Sequence, residues 1–237
     1  MQFIPQTPKE SLDIRFVKYR PQASDLAKFR EEMNSLLNHI DENESEEFHK
    51  RLVFSFLDKS LFSKYFINTK GKQDLAIHLG KDNKKPVGII MELKRPKGNE
   101  REMFSIENSN VKALHELILY YFEERENEKN NELKKLIITN VYEWFVFDAN
   151  DFDKYIYRNT QIKKIFDLYK NEKKDKPSFY NDIKKIINDN EVKINLAHLD
   201  IRKYQQELSD NQEDISKKVI NLFKFFSPEN LLKRPFL

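Results

Sequence analysis

The chain has 237 residues, of which 39% are hydrophobic and 34% charged, with 19 Phe and 10 Tyr. That many large aromatic side chains, against so charged a surface, describe a packed globular protein and exclude extended disorder. The 42 basic and 39 acidic residues leave a net +3, which neither demands nor excludes nucleic acid. Cysteine is absent, which removes disulfides, thiolate catalysis and zinc–thiolate sites. No apolar run approaches the roughly 18 residues of a membrane span. Residues 1–22 also lack the apolar centre of a signal peptide, so the expectation is a cytoplasmic protein without a membrane partner.

Taken in chain order, residues 24–40 read as an amphipathic helix with Ser24 as N-cap and Leu26, Phe29, Met33, Leu36 and Leu37 on one side. The acidic run DENESEE leads into a second helix over about 45–60, with Phe48, Leu52, Val53, Phe56 and Leu57 facing inward. Two short β-type runs follow, DLAIHL from Asp74 and VGIIMELK from Val87, separated by the polar GKDNKK as in an antiparallel hairpin. The four glycines of the chain, Gly71, Gly80, Gly88 and Gly98, all surround this strand pair. A loop then precedes a helix over 110–126, in which Val111, Leu114, Ile118, Tyr121 and Phe122 recur at helical spacing. Leu136–Thr139 and Glu143–Phe147 give two more strands, and residues 151–169, 178–190 and 198–226 read as helical. The expected core order is α-β-β-α-β-β.

One constellation in this order carries chemistry. Asp74 opens the first hairpin strand, and Glu92-Leu93-Lys94 closes the second. Residues i and i+2 of a strand share a face, so Glu92 and Lys94 point together while Leu93 turns into the core. With Asp74 opposite, two carboxylates and an amine converge. Paired hard oxygen donors suit Mg2+, and a lysine beside them can orient water or stabilise charge on a phosphorane. An E-x-K pair is common by chance in charged proteins. Here, however, it ends the continuous apolar run Val87–Met91, the mark of a buried interior strand. The reaction class implied is phosphodiester hydrolysis.

The spacing Asp74 … Glu92-Leu93-Lys94 resembles that of the PD-(D/E)XK nuclease superfamily, with Gln73 where many members have proline. The phrases NESEEFHKRLVFSFLDK, INTKGKQDLAIHLG, GIIMELKRP, NVKALHELILYYFEER, LIITNVYEWFVFDA and FFSPENLLKRPF extend this. They resemble the N-terminal nuclease domain of large type IIG restriction–modification enzymes, which fuse it to an adenine methyltransferase and a target-recognition domain. The resemblance implies an α/β restriction-endonuclease-like fold, a central mixed sheet flanked by helices, with an added C-terminal helical segment. It divides the chain into an N-terminal helical extension (1–40), the nuclease core (41–170) and a helical connector (171–237). It also implies a Mg2+-dependent endonuclease (Mn2+ as substitute) held by Asp74, Glu92 and the Leu93 backbone carbonyl, with Lys94 catalytic. Double-stranded DNA is the implied substrate, and the methyltransferase and target-recognition domains are the implied partners. The chain itself has no N-P-P-Y or F-x-G-x-G equivalent.

Other positions admit two readings. Many superfamily members bring a glutamate from the first core helix to the metal; of Glu44, Glu46 and Glu47, the helical wheel favours Glu46, against a plain helix-dipole role for all three. Arg95 and Lys97 either hold a DNA phosphate or solvate a loop. For His115 and His78, a hydrogen-bonded structural histidine is the commoner outcome than a phosphate contact. Trp144 and Tyr142 bound a strand and are more often core than a base-stacking platform. The pairs Lys134–Lys135, Lys163–Lys164 and Lys184–Lys185 read as element surfaces.

Overall fold

The computed structural model describes residues 1–71, 73–209 and 216–232, with Arg15 described by its backbone alone. Among these the architecture is mixed α/β: a seven-stranded mixed sheet with helices on both faces. The strands are β1 (Gln2–Gln6), β2 (Ile67–Lys70), β3 (Gln73–His78), β4 (Val87–Leu93), β5 (Lys135–Thr139), β6 (Glu143–Asp148) and β7 (Lys193–Asp200), in the order β1-β7-β6-β5-β4-β3-β2. The pairs β4–β5 and β1–β7 are parallel and the others antiparallel.

Alternation along β4 divides the core. Ile90 faces one cluster together with Ala76, Leu136, Ile138, Phe145 and Phe147, while Ile89, Met91 and Leu93 face the other. The first face is covered by α4 (Lys112–Glu126), on which α6 (Thr160–Lys170) and α7 (Lys176–Asp189) pack in turn. Because α4 lies between the sheet and a further helical layer, it is buried from Ala113 through Phe122 without interruption. The opposite face is covered by α2 (Ala23–His39), α3 (Glu46–Ser60) and α9 (Lys217–Phe226). Four short α-helices, α1 (Ile14–Val17), α5 (Ala149–Phe152), α8 (Gln205–Ser209) and α10 (Pro228–Leu231), with a π-helical turn over Asp153–Tyr157 and a 3-10 turn over Ile201–Tyr204, complete the description.

The helix over 24–40, the hairpin, the helix over 110–126 and the β5–β6 pair stand close to where the spacing puts them. Several elements differ. The N-terminal stretch expected to be helical opens instead with β1, which pairs in parallel with β7 from Gln2↔Lys193 to Gln6↔Ala197. Strand β7 itself lies where a helix over 198–226 and a connector over 171–237 were expected. Its KINL and AHLD halves each alternate polar and apolar residues, out of phase across Leu196–Ala197, and β6 on one side and β1 on the other decide the issue. Positions 210–215 of that expected helix, Lys72 and the KRPF end of FFSPENLLKRPF lie outside the described residues. Ser24 is not the N-cap of α2. Gln22 occupies that position and makes no side-chain cap bond, whereas Ser45 does cap α3, its Oγ accepting from Phe48 N at 3.1 Å.

Two backbone positions shape the sheet. A Cβ at Gly88 would lie 2.6 Å from Leu79 Cδ2 and 2.8 Å from Leu232 Cδ2, so glycine lets the segment after α10 close over β4. At the β5–β6 turn, buried Val141 adopts φ +75°, a region that β-branched residues avoid at a cost of roughly 1–3 kcal/mol. Hydrogen bonds hold it there: its amide donates to Thr139 Oγ1 at 3.0 Å, and its carbonyl accepts from Trp144 Nε1 at 2.7 Å. Trp144 is wholly buried and edge-on to Phe226, a core residue and not a stacking platform.

Candidate active site

The hairpin register passes through Leu75↔Met91, and one step further places Asp74 opposite Glu92. Both therefore project from the α4 face of the sheet, at the carboxyl end of β4. Directly opposed residues of an antiparallel pair hold their Cβ atoms roughly 5 Å apart. Asp74 Oδ2 accepts from the Leu93 amide at 2.8 Å, which fixes its carboxylate against the β4 backbone. Its Oδ1 meets Lys50 Nζ of α3 at 3.0 Å. Just past β4, the Lys94 amide donates to Thr139 O at 2.9 Å, continuing the ladder so that Lys94 stays on the face of Glu92.

The interior of the site is closed to solvent. Glu92 is 2% exposed and Lys94 4%. Lys94 Nζ donates to Glu92 Oε1 and, at 2.8 Å, to Glu116 Oε2 on α4. Lys176 Nζ and the Tyr180 hydroxyl, both from α7, stand 3.4 Å from Glu116 Oε1. Glu92 Oε2 is buried and receives no donor, while the Glu92 carboxyl lies close enough to Glu116 to share a proton with it. Removal from water penalises charge on Glu92, and Asp74 and Glu116 add to this, so its carboxyl is raised well above the usual range despite Lys94. For Glu116, burial works upward, but Glu92, Lys94 and Lys176 outweigh it and hold the carboxyl down at about 2. Burial likewise pulls on Lys94, and Glu92 and Glu116 more than reverse it, so its ammonium stays protonated. Burial, aided by Glu92 and Glu116, raises the hydroxyls of Tyr120 and Tyr180, which therefore remain neutral here.

Glu46, in the first turn of α3, stands at the rim. It is half-buried and accepts from Asn99 Nδ2 at 3.4 Å. Burial raises its carboxyl, Lys94 working against the rise and Asp74 with it. Glu47 pairs with Lys50 at 2.9 Å and Glu44 is exposed, so of the three acids Glu46 is the one oriented toward the site. Arg95 and Lys97 do not join it. Arg95 Nη2 lies 3.5 Å from Asn99 Oδ1, and Lys97 is exposed, 3.9 Å from Glu42. His115 is bonded through Nε2 to Asn110 Oδ1 at 2.7 Å and packs on Tyr180. His78 lies between Lys85 O and Asn68 Oδ1. Both histidines hold structure.

Spacing did not single out Glu116, Lys50, Lys176 or Tyr180. For Glu116 a signal existed: it is the one acid within an apolar run, ALHELILYYF, too continuous for a one-sided helix. The other three come from elements whose approach only the tertiary fold sets.

Around Glu92 the charges nearly balance. Asp74, Glu92, Glu116 and Glu46 face Lys50, Lys94 and Lys176, so a proton on Glu92 makes the set neutral. A hard cation in the same place would have Glu92 Oε2 and the Asp74 carboxylate as its side-chain donors, the latter only once Lys50 had moved off Asp74 Oδ1. Among the described residues there is no group of three or more His, Cys, Asp or Glu side chains placed to hold a metal, so any such ion would rest on this two-carboxylate set. No helix among the described residues is long and apolar enough to cross a membrane.

No curated protein and no solved structure matches the chain. A family does match over residues 6–237, nearly the whole length, and the chain belongs to it: the family described as Domain of unknown function (DUF7149).

Proposed function

We propose that the chain is a divalent-metal-dependent DNA endonuclease domain of restriction-endonuclease-like fold, the cleavage unit of a type IIG restriction–modification enzyme. The observation that carries this reading is the buried Asp74–Glu92–Lys94 group at the end of β4, with Glu92 Oε2 left without a donor. Burying ionisable groups costs stability that their mutual pairing only partly offsets, and such clusters are concentrated at functional sites. When bound, Mg2+ would polarise a phosphate oxygen and lower the pKa of attacking water. Asp74 and Glu92 would hold it, with Asp74 already oriented by the Leu93 amide. The Lys94 ammonium, kept protonated and aimed by Glu116, acts as a fixed positive charge toward the developing phosphorane oxygen. Glu46 from α3 orients solvent at the rim. In this reading the partners are double-stranded DNA and the methyltransferase and target-recognition domains of the same enzyme.

The test is cleavage of supercoiled DNA with Mg2+ or Mn2+, alongside calorimetric metal titration. Metal affinity and cleavage are both expected; Asp74→Ala and Glu92→Ala lose both, and Lys94→Ala loses cleavage, in variants that keep the parent's circular dichroism. Cleavage undiminished in these variants would overturn the reading.

A second reading rests on one specific observation: Lys50 and Lys94 already pair with Asp74 and Glu92, so the group is almost charge-complete without a cation. On that reading the site is a structural ion cluster in a non-catalytic module that binds DNA or docks a neighbouring domain. Absence of metal affinity, together with a large loss of stability in all three alanine variants, would favour it.

A further inference from the structure

The opposite end of the sheet, where β5 begins and β6 ends, holds a second feature. A cavity of about 950 Å³ opens there, on the face that α9 covers. The strand register draws its floor. Gln6 pairs with Ala197 and Ala197 with Val146, giving one row across β1, β7 and β6. Asn195 and Asp148 stand two residues from Ala197 and Val146, so they share that face, with Lys135 paired to Asp148 on β5. All six residues line the cavity. Four strands at roughly 4.8 Å each make a floor about 14 Å wide, apolar at its centre. Leu12, Phe16 and Tyr19, on the segment that includes α1, form the roof, and the Phe16 and Tyr19 rings stack at 4.8 Å. Lys224 of α9, itself buried, ties that roof down by donating through Nζ to Val17 O at 2.6 Å. The volume falls in the range that holds a drug-sized ligand.

We propose that this cavity binds a neutral planar ligand carrying a carboxamide or an equivalent donor–acceptor edge. Neutrality follows from the rim, where the charges answer one another. Lys135 Nζ meets Asp148 Oδ2 at 2.7 Å, and Asp151 has both Lys154 and Lys135 acting on it. Asp13 has a partner of its own. Lys18 and Glu229, one of each sign, are exposed. What the cavity leaves over is two carboxamides: among the described residues neither Gln6 nor Asn195 has a side-chain hydrogen bond. Both rise from the floor, on neighbouring strands. A carboxamide sets a donor beside an acceptor, so its complement is an edge that does the same, as on amides and nucleobases. The layer between a sheet floor and an aromatic roof suits a ring better than a bulky body. An ionised ligand would leave its charge unpaired above Ala197 and Val146. This site shares no residue with the Glu92 group, so it stands or falls separately from the nuclease reading.

The test is a heteronuclear NMR titration of the whole chain with nicotinamide. Nicotinate and 1-methylnicotinamide serve as the anionic and cationic forms of the same ring, and 3-methylpyridine as the ring without the amide. Nicotinamide is expected to shift the amides of Leu12, Phe16, Val146 and Ala197, and each of the other three to bind at least tenfold more weakly. Gln6→Leu and Asn195→Leu keep the bulk and remove the carboxamide. Each is expected to weaken nicotinamide binding at least fivefold at unchanged Tm. No shift with nicotinamide at millimolar concentration would overturn the proposal. So would equal or tighter binding of a charged form or of 3-methylpyridine, or affinity undiminished in both leucine variants.

Discussion

Lys94 and Glu116 meet at 2.8 Å across the interface between the sheet and α4, both almost fully buried. The contact joins the last residues of the hairpin to the helix that is buried from Ala113 through Phe122, and it aims an amine that would otherwise follow Glu92 alone. Breaking a buried pair by removing one partner strands the other charge. Glu116→Gln keeps the shape and a weaker acceptor, so a loss of about 1–3 kcal/mol is expected, read as a lower urea midpoint with unchanged m. If Lys94 is positioned by Glu116, the kcat for cleavage falls while KM holds, and Glu116→Asp restores part of it. An effect on stability without an effect on kcat would reduce Glu116 to a structural role.

Glu92→Gln separates the cost of the site from its use. The substitution removes a carboxylate whose Oε2 is buried without a donor and offers an amide donor there instead. Metal-free Tm is expected to hold or rise by a few degrees, since about 1 kcal/mol moves Tm by roughly 2–4 °C in a chain of this size. The Mg2+ response should disappear. A parent that binds Mg2+ gains about 1.4 kcal/mol at ten times Kd, and the variant should gain nothing. Equal Mg2+ stabilisation of both proteins would remove Glu92 from the metal set.

How much of this was legible in the sequence follows from range. The hairpin, with Asp74 opposed to Glu92 and Lys94 on the face of Glu92, was legible because strand period and a polar turn are local facts. The helix over 110–126 was legible for the same reason. Strands β1 and β7 were not. β1 has only five residues and the alternation of β7 changes phase at Ala197, and they pair across nearly the whole chain, from Gln2 to Lys193, so the local pattern was too weak to set them apart from helix or loop. Lys50 was hidden because its approach to Asp74 depends on how α3 crosses the sheet edge, and Lys176 because α7 stacks on α4 and not on the sheet.

The pH dependence of stability should carry the signature of His115. Burial, aided by Lys184, depresses its folded pKa to about 4, from 6.5 in the unfolded chain. Between those values the unfolded state takes up a proton that the folded state refuses, so the His115 contribution to stability falls as pH drops from about 6.5 to 4, while the raised Glu92 carboxyl contributes in the opposite sense above about 4.5. The loss is on the order of 3 kcal/mol. His115→Gln, which retains a donor toward Asn110, is expected to flatten this slope in urea titrations at pH 7, 5.5 and 4. A slope unchanged in the variant would assign the acid sensitivity elsewhere. Glu116, whose folded carboxyl lies near 2, contributes below pH 4.5 only.

Lys50 competes with any cation for Asp74. Its Nζ lies 3.0 Å from Oδ1 while the Leu93 amide holds Oδ2, so both oxygens are engaged before a metal arrives. A divalent ion would have to push the lysine aside, toward Glu47, which it already meets at 2.9 Å. Lys50→Met keeps the aliphatic stem against α3 and removes the charge. Because the pair is only partly exposed, the metal-free variant is expected to lose about 1 kcal/mol or somewhat more of stability. Freed from the ammonium, Asp74 should bind Mg2+ more tightly, by roughly tenfold or 1.4 kcal/mol, in calorimetric titration. Affinity that stays level or weakens would mean that Lys50 does not occupy the cation's place. In that event the ion pair with Asp74 belongs to the fold, and the structural reading of the whole cluster gains accordingly.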